Sequence, residues 1–327
     1  MTLAERLRSL LGAPLAGLLL YPLRLSRRRL GVAVMYHGVA DRTGDPAREL
    51  VPPHGIGLFE AQLRHLQAHF GLVPASQLLA AARERRRGER FPVAVTFDDD
   101  LRSHPVVSMP GLRRLGAHAT FFVCGASLDG PHRFWWEVLQ AALDRGEGQT
   151  ARHMVEDCCG PLPGDETVPL VRRLAAAVEG LSPADREAMT ERLASLAGPP
   201  PRDAGMRGTD VQALADEGFE LGFHTRRHHR LTSLEDGDLS FALREGLDRL
   251  EGILGNRPAL IAYPHGKADE RVASAARDAG FRCGFTSRPR AVTPQSDPLM
   301  LGRVQPSFRS KGHLALQLAR CLLREAV

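Results

Sequence analysis

Lysine is almost absent from this chain of 327 residues: Lys267 and Lys311 stand among 43 basic side chains, and the rest are arginine. That bias suggests a GC-rich genome more than a chemical need. Cysteine is sparse and irregular. Cys124, Cys158, Cys159, Cys283 and Cys321 are odd in number, two are adjacent, and none has C-x-x-C spacing. That excludes a disulfide scaffold or a zinc knuckle and implies the reduced thiols of a cytoplasmic protein. No glycine-rich phosphate loop follows any strand-like segment, which argues against a nucleotide-binding open sheet. Internal repeats and low-complexity tracts are lacking too. The N-terminal apolar run "LLGAPLAGLLL" has 11 residues, is broken by Pro14, and falls well short of the ~20 a spanning helix needs.

The excess of positive charge is confined to one place. Residues 1–30 hold Arg6, Arg8, Arg24, Arg27, Arg28 and Arg29 against Glu5, which accounts for the whole net charge of +5. The remainder is close to neutral, so nucleic acid is excluded as a partner of the main domain. No A-x-A-like site follows the apolar run, and "RLSRRRL" sets more positive charge behind it, where export signals avoid it. Residues 1–30 therefore read as a basic amphipathic segment that packs on the domain or touches a membrane surface peripherally, at the inner face of the cytoplasmic membrane.

What remains is an ordinary globular composition, 43% apolar and 25% charged, long enough for one large α/β domain. From residue 31 strand and helix patterns alternate. "GVAVMY", "PVAVTF", "ATFFV", "FELGF", "ALIAY" and "RCGFT" read as strands, and "LMLGRVQP" carries a later one. Helical spacing marks Phe59, Leu63, Leu66 and Phe70, and a leucine stripe at 239, 243, 247, 250 and 254 predicts one long helix. Ser76 is the expected cap of the helix that follows it, and Thr209 with Gln212 forms an expected capping box. Such alternation means parallel strands with helical crossovers, in an open doubly wound sheet or a closed barrel. Residues 126–206 break the rhythm with helical patterns alone and read as a helical insertion within a domain spanning 31–327.

The stretch "VAVTFDDDLRSH" then poses a question, because Asp98, Asp99 and Asp100 crowd the end of a buried strand, where burial and mutual repulsion are both costly. A partner appears in "FELGFHTRRHHRL". His224 and His228 are four apart just past another strand end, and on a helical turn that spacing puts two rings on one side, as metal ligands require. In a parallel α/β barrel, functional groups gather at that face. His229 reads as a surface residue, Trp135 and Trp136 as core aromatics or sugar-stacking rings, and His104, His118 and His132 as background.

The motifs "TFDD", "HATFFV", "ELGFHTRRH" and "AYPHG", in that order, resemble the NodB-like polysaccharide deacetylases of carbohydrate esterase family four, from about residue 31 to 305. The resemblance implies a distorted (β/α) barrel of seven strands. It makes Asp98 the catalytic base and Asp99, His224 and His228 the ligands of a divalent metal, with Zn²⁺ first and Fe²⁺, Mn²⁺ or Co²⁺ as alternatives. The substrate implied is an N-acetylated sugar of a cell-surface polysaccharide or its lipid-linked precursor. The rivals are O-deacetylation or deformylation of a similar sugar, and a carbohydrate-binding protein with a decayed site. Strand alternation lets Asp99 reach the metal while Asp98 stays off it.

There are departures. Ala262 stands where the family has an arginine that holds the base; Arg303 either substitutes for it or makes a structural salt bridge. Asp100 replaces the usual glycine and is expected to face solvent. In relatives the backbone N–H at the tyrosine of this motif helps form an oxyanion hole, and His265 can supply the same N–H; Tyr263, His265 and Arg303 form the expected oxyanion and substrate-binding group. The late leucine-x-histidine motif that supplies the general acid is missing. In permuted relatives, the poly-N-acetylglucosamine deacetylases, the histidine motif lies on the first strand, which implies His37 of "VAVMYHGV" as the acid.

Overall fold

The computed structural model describes residues 3–325. Seven strands form its centre: β1 (Val32–Tyr36), β2 (Pro92–Asp98), β3 (Thr120–Val123), β4 (Glu220–Phe223), β5 (Leu260–Ala262), β6 (Cys283–Phe285) and β7 (Arg303–Val304). They pair in parallel in the order β7-β1-β2-β3-β4-β5-β6. β1 and β2 are buried at every position. Such continuous apolar runs, rich in Val and Phe, suit strands covered on both faces. Phe285 bridges to Leu301 just before β7. Thr286 N–H donates to Leu301 O (2.8 Å) and Leu301 N–H to Gly284 O (2.9 Å), so the two ends of the sheet meet in a nearly closed barrel.

Parallel neighbours need crossovers, and helices supply most of them. In chain order these are α1 (Leu3–Arg24), α2 (Ile56–His69), α3 (Leu78–Glu84), α4 (Met109–Leu115), α5 (Trp135–Asp144), α6 (Gly148–Cys159), α7 (Leu170–Glu179), α8 (Pro183–Ala197), α9 (Gly208–Asp216), α10 (Asp236–Ala242), α11 (Leu247–Leu254), α12 (Glu270–Asp278) and α13 (Lys311–Arg324). α5 to α8 all lie between β3 and α9. They enclose an apolar core of their own, built from Leu139, Val155, Leu174, Val178, Met189 and Leu193.

Local departures from expectation have local causes. The leucine stripe spans two helices, because Gly246 takes a left-handed conformation (φ 87°) between α10 and α11, though Leu239, Leu243, Leu247 and Leu250 are all buried. α9 is capped not by Thr209 but by the Asp210 carboxylate, which accepts the Arg207 N–H at 2.9 Å. Ser76 sits inside a short 3₁₀ turn, Ala75–Gln77, so α3 begins after it without a side-chain cap.

α1 is longer than the apolar run alone suggested. It lies on α13 through small residues, Ala16 against Ala315 and Ala319. The approach is close: a Cβ on Gly12 would sit 2.5 Å from Gly312 O, whereas a Cβ on Gly17 would touch nothing. We predict that Gly12→Ala destabilises the protein by about 1–3 kcal/mol through overpacking. Gly17→Ala should instead stabilise it by up to about 1 kcal/mol, through lower chain entropy in the unfolded state. Denaturant midpoints of the two variants check both signs.

Candidate active site

The candidate side chains sit at the C-terminal ends of the strands, except Arg303, which opens β7. Asp98 is the last residue of β2, His37 follows β1, His224 follows β4, and His265 lies just beyond β5. Asp99 leaves the strand with φ 73°, and Thr225 (57°), His228 (49°) and His265 (57°) complete the set of positive-φ non-glycine residues among the described residues. Left-handed backbone is costly for such residues and persists where the surroundings over-determine it. The left-handed turn at Asp99, rather than strand alternation, is what aims its carboxylate apart from Asp98. Likewise no helical turn joins the histidines. A turn closed by His228 N–H to Thr225 O (3.2 Å) brings the two ring centroids to 4.9 Å.

Asp100 does not face solvent. Its carboxylate is buried and accepts the N–H groups of Cys124 (2.7 Å), Gly125 (3.1 Å) and Ser127 (3.3 Å), together with the Ser127 hydroxyl (3.2 Å). It thereby staples the end of β2 to the loop after β3. His104, set aside as background, also supports the strand end, with Nε2 at 2.9 Å from Asp98 O.

Asp98 is held from β7, by the arginine that stood as one of two alternatives. Arg303, fully buried on β7, grips Asp98 through Nη1–Oδ1 (2.6 Å) and Nη2–Oδ2 (2.7 Å) and also donates to Thr96 Oγ1 and Thr286 O. Burial alone would raise the Asp98 pKa. The Arg303 guanidinium, helped by His224 and His37, overrides it and brings the carboxyl down to about 2. Asp99 has no such cation. Burial first, then the neighbouring charges of Asp98, Glu137 and Asp100, drive its pKa well above the usual range. Burial pushes His37 down to about 4, against the pull of Asp98. His224 and His228 are lowered for the same reason, and His228 further by His265 and His224.

Asp99, His224 and His228 offer ligand atoms that all lie within 4.8 Å of one another. His224 Nε2 and His228 Nε2 stand 3.5 and 3.6 Å from Asp99 Oδ1, close to the roughly 3.4 Å between donors of a tetrahedral site with Zn–N and Zn–O bonds of about 2.1 Å. His224 Nδ1 donates to Ala262 O (2.7 Å), which leaves the Nε2 lone pair free, the usual arrangement for a ligating imidazole. Asp99 Oδ1 is buried without a hydrogen-bond partner. An orphaned carboxylate oxygen flanked by two neutral imidazoles fits a divalent cation.

These groups open into a cavity of about 600 Å³. His37, Asp98, Asp99, His224, His228 and His265 all line it. Tyr263 and Arg303 do not, which corrects their expected place beside a substrate. The Tyr263 ring turns into the core over Gly284, its hydroxyl donating to Leu299 O at 2.9 Å, and the Arg303 charge is taken up by Asp98 beneath the floor. His265 keeps its N–H out of the turn hydrogen bonds, which the Gly266 N–H makes to Tyr263 O and the Lys267 N–H to Pro264 O.

Helices α5 and α7 supply a wall that the motifs did not reveal. Trp135, Arg172 and Glu179 line the cavity with Arg230. Glu179 pairs with Arg230 and lies 3.2 Å from His265 Nδ1. Trp136 is buried, stacked on Phe134 at 4.5 Å and 4.4 Å from the His228 ring. Among sequence signals only the Trp pair pointed here. Glu179 meets His265 across 86 positions, a pairing that no local pattern encodes.

A buried, arginine-held carboxylate thus stands beside an Asp-His-His triad at the mouth of a parallel-strand barrel. The polysaccharide deacetylase family model matches residues 201–284 of the chain. YxkH of Bacillus subtilis (strain 168), itself assigned to that family provisionally, is 20% identical over 276 residues, covering 84% of this chain and 70% of that one. Among solved structures, the Streptococcus pyogenes deacetylase PplD in complex with acetate is similar in fold. Its TM-score is 0.58 at 15% identity, over 88% of this chain and 97% of that one. IcaB from Ammonifex degensii gives 0.56 at 17% identity, over 89% and 98%.

Removing one partner of a buried ion pair strands the other charge, at a cost of about 3–5 kcal/mol. Arg303→Met should therefore destabilise the protein by that amount, and adding Asp98→Asn should recover much of it. A double-mutant cycle from denaturant unfolding reads the coupling directly; additive effects would deny it.

Proposed function

We propose that the protein is a divalent-metal-dependent hydrolase that removes the N-acetyl group from a sugar of a cell-surface polysaccharide or its lipid-linked precursor. The observation that carries this reading is the division of labour between adjacent carboxylates. Asp98 is ionised and clamped by Arg303, while Asp99 is left without a cation beside two histidines. A cation held by Asp99, His224 and His228 would polarise the acetyl carbonyl and acidify a water molecule.

The chain's own groups do the rest. Asp98, kept ionised and oriented by Arg303, accepts the proton of the attacking water. The His265 N–H donates to the carbonyl oxygen as negative charge develops there, the kind of contact that strengthens in the transition state. An amide nitrogen leaves only if protonated, and His37 lies in the same cavity to give it that proton. Burial leaves His37 neutral at first; it takes up a proton from solvent, favoured by the anionic charge of the tetrahedral intermediate, and passes that proton to the leaving nitrogen. Trp135, Arg172 and Glu179 offer an aromatic face and polar groups to the sugar. The two departures at Ala262 and Asp100 do not argue for a decayed site, since Arg303 does the work of the missing arginine and Asp100 caps the loop after β3. The same reading sets the enzyme in the cytoplasm, against the membrane that carries a lipid-linked sugar.

One divalent ion per chain is expected by elemental analysis after loading, and His228→Ala should lose it; stoichiometric metal in the triple alanine variant of Asp99, His224 and His228 would contradict the assignment. Asp98→Asn should keep the metal yet lose about 10²–10⁴-fold in acetate release from N-acetyl sugars. His37→Ala should also keep the metal and lose turnover on amides far more than on esters, whose alkoxide leaves more easily. Faster release from O-acetyl or N-formyl sugars than from N-acetyl sugars would reassign the substrate within the same chemistry.

A further inference from the structure

A helix on a protein surface usually turns its large apolar residues inward. α1 does the reverse. Its inner face, against α13, is made of Gly12, Ala13 and Ala16 with Leu20, while Leu10 is 76% exposed, Leu18 71% and Tyr21 61%. Of the eleven exposed large apolar side chains among the described residues, eight lie between Leu7 and Leu25, so the outward stripe is a local feature rather than the scattered apolar surface every protein carries. At 100° per residue, Leu7, Leu11 and Leu18 fall along the middle of that stripe, Leu10 and Leu15 to either side. Arg8 falls on one flank and Arg6 and Arg24 on the other, and Arg27, Arg28 and Arg29 follow the helix end. All six arginines are exposed, and none forms an ion pair among the described residues. The one acid of the segment, Glu5, is turned inward to Arg309 at 2.7 Å.

We infer that α1 is a docking surface for an anionic lipid bilayer, lying in the plane of the membrane with its leucines in the acyl boundary and its arginines among the headgroups. Apolar centre and basic rim together match that partner; a second copy of the same face would set arginine rims against each other. No helix of the described residues is long and apolar enough to cross a membrane, so the helix lies on the surface, its usual mode when charge flanks the apolar stripe. The small-residue contact with α13 fixes α1 rigidly to the barrel, so docking would orient the whole protein. This inference is independent of the catalytic reading.

The test is sedimentation of the full chain with phosphatidylglycerol–phosphatidylcholine vesicles and with phosphatidylcholine vesicles alone. Binding to the anionic vesicles should be stronger and should fall as salt rises. Leu10→Asp with Leu18→Asp should weaken it at least about tenfold, and each of Arg27→Gln, Arg28→Gln and Arg29→Gln about fivefold. Circular dichroism and thermal midpoints should be those of the parent, since these side chains are exposed. Equal binding to both vesicle types, or leucine variants that pellet like the parent, would overturn the inference. So would a dimer, seen by light scattering, that the leucine variants dissolve.

Discussion

Three consecutive buried carboxylates at the end of β2 set the terms for everything around them. Close like charges removed from water repel strongly, and each must be neutralised by something specific. The protein uses a different chemistry for each. Arg303 reaches across from β7 to Asp98, backbone N–H groups of the loop after β3 surround Asp100, and Asp99 is left facing two imidazoles. Because the first two solutions come from strands on either side of β2, β7 beyond β1 and β3 beside it, the position of Asp98 and Asp99 is tied to closure of the barrel itself.

That arrangement also separates function by layer. The strand ends carry the candidate side chains, and positive φ at Asp99, Thr225, His228 and His265 aims side chains where regular structure would not. The helices between β3 and β4 add a wall, with Glu179 reaching back to His265. α1 and α13 lie outside the barrel and contribute nothing to the cavity. On the proposed reading, a change in α5 or α7 should therefore alter which molecule fits the cavity, whereas a change at the strand ends should alter whether anything reacts.

Much of the fold was legible in the sequence, because parallel strands buried on both faces read as short apolar runs and the intervening periodicities mark crossovers. The two histidines and the aspartate pair were legible as an ordered motif. Less legible was whatever depends on contacts between distant elements. Asp100 looked like a surface residue because its partners are backbone N–H groups, which leave no residue-type signature. The role of Arg303 stood as one of two alternatives until its geometry with Asp98 was seen. Tyr263 sits within the motif, yet its ring is spent on packing over Gly284. Helix breaks were missed where one left-handed glycine, Gly246, interrupts an otherwise continuous stripe.

The account rests on a cation seated between Asp99, His224 and His228, with Asp98 close by but unbound. X-ray absorption at the metal edge of the loaded protein addresses this most directly. It should give a first shell of nitrogen and oxygen at about 2.0–2.2 Å, with an imidazole scattering pattern that His224→Ala and His228→Ala each reduce. Asp98→Asn should leave that shell unchanged. A first shell without imidazole, or one that Asp98→Asn rearranges, would contradict the division of roles between the two carboxylates.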